Sequence, residues 1–68
     1  MHEETFNLSI RKFLKIVGIN SQREIEQAVR KALDEGRISG NESFPATVTL
    51  EVPGLNLTFQ IDGEIKLE

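Results

Sequence analysis

A chain of 68 residues with a net charge of −3 is one small domain with little long-range attraction for phosphate. It has no cysteine, so no disulfide staples the fold, and a lone histidine, His2, cannot assemble a zinc site. No apolar run is long enough to span a bilayer and no secretory apolar segment is legible, so a cytoplasmic setting is expected.

The first predicted helix covers residues 3–17. Phe6, Ile10, Phe13, Leu14 and Val17 recur on one helical stripe. Glu3 and Glu4 open it, and Arg11, Lys12 and Lys15 lie toward its end, an order that complements the helix dipole. Gly18 is expected to close it in the left-handed conformation, with Ile19 folding back on Leu14. Ser21 and Glu24 then read as a capping box that starts a second helix over residues 22–35. Ile25, Ala28, Val29, Ala32 and Leu33 form its apolar stripe, and Gly36 ends it.

Residues 36–45 read as a loop, with Gly40, Asn41 and Ser43 as turn formers and Phe44-Pro45 entering extended chain. Beyond it the pattern alternates with period two, which predicts strands over 46–52, 55–61 and 64–67. Pro53-Gly54 marks the first turn and pairs Leu50 with Leu57 and Val48 with Phe59. A bulged turn at Ile61-Asp62-Gly63 sets Phe59 opposite Ile65 and Leu57 opposite Leu67. The expected fold is α+β: a two-layer sandwich with an αα-hairpin packed on a three-stranded antiparallel β-meander. A core of this size sits close to the limit of independent stability, and self-association is the reinforcement the composition leaves open.

The phrase from Thr5 to Lys15, then Val17-Gly18-Ile19 and Ser21 to Glu26, resembles a family of short bacterial proteins of unknown function. Pro45-Ala46, Leu50 to Leu55 and Asp62-Gly63-Glu64-Ile65 carry the resemblance to the end of the chain. It implies a bacterial, cytoplasmic, stand-alone protein, and it implies no activity, cofactor or catalytic residue.

Catalysis finds no support in the residues. Ser9, Ser21, Ser39 and Ser43 have no histidine base within a regular element, and the glycines are scattered singly with no phosphate-cradling motif. No cofactor or metal is expected. The function expected is a non-catalytic protein-interaction module that binds a protein partner or itself. Two surfaces are candidates. One is a basic helix face, Arg11, Lys12 and Lys15 around Leu8. The other is the outer edge of the first strand, whose polar face carries Thr47, Thr49 and Glu51. The alternative is a degenerate helix-turn-helix that contacts nucleic acid through Arg23, Arg30 and Lys31. Charge argues against it: those cations share their helix with Glu24, Glu26 and Asp34, and residues 38–68 carry one lysine against five acids.

Overall fold

From Glu3 to Asp34 the backbone is one unbroken helix of 32 residues, α1, about 48 Å long at 1.5 Å per residue. The computed structural model describes residues 1–68. It divides into two units, the helical Met1–Glu35 and the hairpin-forming Gly36–Glu68.

The expected break at Gly18 is absent, and so is the αα-hairpin built on it. A glycine inside a helix costs about 1 kcal/mol relative to alanine, which a long run of good helix formers on either side absorbs. Gly18 is not among the positive-φ residues. Ser21 and Glu24 lie within the helix and cap nothing. Asn20 is held in the helix by its own side chain, which donates from Nδ2 to the Ile16 carbonyl at 2.8 Å and accepts from Arg23. The two apolar stripes overlap, although Val29 and Leu33 of the second drift off the shared side. Phe6, Val17 and Ala28 are spaced by eleven residues, as are Ile10, Ser21 and Ala32, and Leu14 and Ile25. Eleven residues make just over three whole turns, so only a continuous helix keeps these positions on one side.

At its start, extended His2 serves as the N-cap, its Nδ1 accepting from the Thr5 N–H at 3.2 Å. At its end, the Glu35 N–H donates to the Lys31 carbonyl at 3.0 Å, and Gly36 turns left-handed with φ of 72°. A residue without Cβ is favoured there, and this terminus is where the sequence places it.

The second unit is a two-stranded antiparallel sheet, β1 (Ser43–Val52) and β2 (Leu57–Lys66). The three-stranded meander is not formed. Residues 43–45, expected in the loop, are the first three of β1. Residues 55–61 and 64–67, expected as separate strands, are largely one strand, and it passes straight through Asp62-Gly63. Asp62 sits opposite Thr47, whose hydroxyl donates to its carboxylate at 3.2 Å. The first turn is a short 3-10 segment, Pro53–Leu55, closed by Asn56 in the left-handed conformation with φ of 53°. Because the loop ends at Asn56, Leu50 pairs with Phe59 and Val48 with Ile61. The expected register is therefore displaced by two residues, which preserves the faces.

Neither unit encloses a core of its own. Ala32 is the one buried residue, and Val17, Ser21 and Val29 of α1 are half-buried. In the second unit Phe44, Ala46, Leu50, Val52 and Ile65 are half-buried.

Candidate interaction surfaces

Along α1, Phe6, Ile10, Phe13, Leu14, Val17, Ser21, Ile25, Ala28 and Ala32 fall within an arc of about 120° on the helical wheel. Phe6, Ile10, Phe13, Leu14 and Ile25 are all exposed. Glu24 falls within the same arc, and Val29 and Leu33 continue the apolar surface beyond its edge.

The basic face is assembled as the sequence indicates. Leu8, Arg11, Lys12 and Lys15 lie within about 100° of arc on the same helix. Leu8 is 57% exposed. Helix continuity adds a residue that a break at Gly18 would have removed: Ile19 lies eleven positions beyond Leu8 and is exposed, as is Ile16 nearby. Arg23 and Arg30 share one side of the same helix and Lys31 is turned away from them. Arg30 reaches Glu26 one turn earlier at 3.9 Å, and Arg23 donates to Asn20. The pair of helices that a helix-turn-helix needs is replaced here by one rod.

The hairpin has two sharply different faces. One carries the cross-strand pairs Phe44–Ile65, Ala46–Gly63, Val48–Ile61, Leu50–Phe59 and Val52–Leu57, with no polar side chain among them. Phe59 is 56% exposed, and Val48, Leu57 and Ile61 are also exposed. The other face carries Ser43–Lys66, Pro45–Glu64, Thr47–Asp62, Thr49–Gln60 and Glu51–Thr58. Thr47, Thr49 and Glu51 are therefore together on the polar face, as the alternation indicates.

The edges can be assigned as well. Leu67 donates its N–H to the Glu42 carbonyl at 2.9 Å. With the register observed, the even-numbered residues of β1 exchange backbone hydrogen bonds with β2, and the odd-numbered ones face outward. Pro45 is an odd position, so its missing N–H costs the ladder nothing. Thr47, Thr49 and Glu51 then offer their N–H groups along an open edge, and no third strand covers it. The expectation of a short last strand fails: β2 has ten residues. Its outward positions include Asp62, Glu64 and Lys66, charges that discourage pairing there.

A feature that the sequence reading missed lies in the second unit, in the loop before β1. The Glu42 carboxylate accepts from the backbone N–H groups of Ser39 at 2.8 Å, Gly40 at 2.9 Å and Asn41 at 3.1 Å. These bonds, the one from Ser39 first and that from Gly40 next, hold its pKa below the ordinary carboxylate value. The visible signal was a carboxylate just after Ser-Gly-Asn, a run able to turn its amides inward. No group of three or more His, Cys, Asp or Glu side chains is placed to hold a metal ion. No helix is long and apolar enough to cross a membrane.

Neither the curated proteins nor the solved structures contain a match to this chain. One family model does match, over residues 1–68, the full length of the sequence. The chain belongs to DUF6494, a family of unknown function.

Proposed function

We propose that this chain is a small non-catalytic protein-interaction module of the bacterial cytoplasm, whose fold is completed by association with a partner protein or with itself. The observation that carries this reading is the hairpin's unbroken apolar face, with Val48, Leu57, Phe59 and Ile61 exposed on a sheet of two strands. A lone two-stranded hairpin is at best marginally stable in water, and such a face is stable when something covers it. The stripe of α1 repeats the same demand on the other unit. Two chemistry-bearing residues are already committed to structure: His2 caps the helix through Nδ1 and the Ser9 hydroxyl donates to the Phe6 carbonyl at 2.8 Å. The absence of cysteine suits a reducing compartment.

The test is the native size of the chain in a cell extract, measured with and without nuclease. The module reading expects it to migrate well above its 7.7 kDa mass, unchanged by nuclease. Migration as a free monomer overturns it. A large species that collapses on nuclease treatment favours the alternative, nucleic-acid contacts through Arg23, Arg30 and Lys31.

A further inference from the structure

The open edge of β1 is framed by proline at both ends. Pro45 lies within the strand and Pro53 begins the turn that follows it. Neither has an N–H to offer. Between them Thr47, Thr49 and Glu51 present theirs outward, and all three residues are exposed. The stretch free to take another strand is therefore 46–52, and its midpoint is Thr49. We propose that a second copy of this chain pairs with the first edge to edge, β1 antiparallel to β1, about a two-fold axis at Thr49. This inference rests on the interaction-module reading and supplies its partner.

The prolines select the register. Centred on Thr49, the pairing sets Thr47 opposite the partner's Glu51, Thr49 opposite the partner's Thr49, and Glu51 opposite the partner's Thr47. Each of these pairs exchanges both N–H···O bonds. Pro45 falls opposite the partner's Pro53, beyond the end of the ladder. An axis nearer the start of the strand, at Val48 or Thr47, puts Pro45 inside the ladder of a strand now flanked on both sides, where proline does not belong. The Thr47 axis adds a bond at Ser43 but sets Pro45 against the partner's Thr49. An axis nearer the end, at Leu50 or Glu51, sets Thr47 or Thr49 against the partner's Pro53, and at Glu51 it also opposes two carboxylates. A frame symmetric about Thr49 is what a strand needs in order to meet itself, since every misplaced proline is met twice. A foreign strand does not impose that symmetry.

Both faces of the sheet match in this register. On the apolar side Val48 meets the partner's Leu50 and Ala46 meets the partner's Val52, so the rows Ile61–Val48, Phe59–Leu50 and Leu57–Val52 run on across the join. On the polar side Thr49 meets its own copy, with Gln60 next in the row on either side. Glu51, the one charge at the outward positions of β1, meets a threonine. Asp62, which pairs with Thr47, stands two strand spacings from the partner's Glu51, about 10 Å and on the order of the Debye length. The outer edge of β2, with Asp62, Glu64 and Lys66, discourages the same approach. The outcome is a four-stranded sheet with one continuous apolar face, past the size at which a sheet becomes independently stable. One patch serves both copies, so the contact is isologous and closed.

Because the chain has no cysteine, a single nitroxide can be attached to the full-length chain through Thr47→Cys, Thr49→Cys or Glu51→Cys, all on the exposed polar face. The proposal expects the strongest dipolar coupling at position 49, where the two Cα atoms lie about 5.5 Å apart. It expects weaker and equal coupling at 47 and 51, whose like positions are offset by about 14 Å along the strand. The strongest coupling at 47 or 51, or none at any site, overturns it. Thr49→Pro removes the central outward N–H and spares the hairpin's own ladder, so it raises the dimer dissociation constant about tenfold or more. Gln60→Pro makes the same change on the outer edge of β2 and leaves association as it was. An unchanged dimer in Thr49→Pro, or equal weakening by both variants, also overturns the proposal. If the purified chain is monomeric while the chain in extract migrates in a larger assembly, the second copy is excluded and the module reading stands with a different partner.

Discussion

Asn56 is the only non-glycine residue with positive φ, and it decides the register of the hairpin. Asparagine tolerates the left-handed conformation, whereas a β-branched residue pays about 1–2 kcal/mol to adopt it. Asn56→Gly should therefore leave stability almost unchanged, and Asn56→Val should cost about 1–2 kcal/mol in chemical denaturation. Glu42 makes a second prediction at this scale. Its pKa is held down in the folded chain, mainly by the Ser39 N–H and then by that of Gly40. Its contribution is present above the ordinary carboxylate pKa and is lost as pH falls through the lowered folded value. The amide resonances of Ser39 and Gly40 should titrate together in that acidic window, and Glu42→Gln should abolish the titration. Amides that stay fixed through it would contradict the contacts seen. Neither residue was legible as structural in the sequence. Pro53-Gly54 drew attention to the turn, but the positive φ falls two residues later, and a single carboxylate in a polar loop reads as solvated.

At the scale of elements, the sequence shows where α1 starts and ends, through Glu3, Glu4 and Gly36, and misleads about its middle. Gly18, Asn20, Ser21 and Glu24 each favour a helix end locally. The phase that Phe6, Val17 and Ala28 keep across them is a longer-range signal that outweighs them. Gly18→Ala distinguishes the two descriptions. A Cβ at Gly18 meets nothing within 4 Å, so in a continuous helix the change should stabilise by about 1 kcal/mol; in a left-handed turn it would destabilise. The strands follow the same lesson. The alternation from Leu57 through Phe59, Ile61, Gly63 and Ile65 never changes parity, which a straight strand requires. Asp62-Gly63, a strong local turn signal, is overridden because continuing the strand pairs Ile65 with Phe44 and keeps the whole apolar face on one side. The candidate surfaces fared unequally. The basic face and Thr47, Thr49 and Glu51 lie together as the periodicities indicate, while the apolar hairpin face was expected to lie under two helices.

At the scale of the whole molecule, one buried alanine beside fifteen exposed large apolar side chains is the dominant fact. Composition alone indicates a chain near the limit of stability, but the uncovered surface depends on how the apolar residues are divided between a rod and a hairpin. If a second copy completes the fold, folding and association are one equilibrium, and stability depends on protomer concentration. The most direct measurement is sedimentation equilibrium of the purified full-length chain together with its thermal midpoint over a wide range of concentration. Completion by a second copy predicts a mass of about twice 7.7 kDa and a Tm that rises with concentration. A mass of one chain at every concentration, with a Tm that does not move, would contradict it.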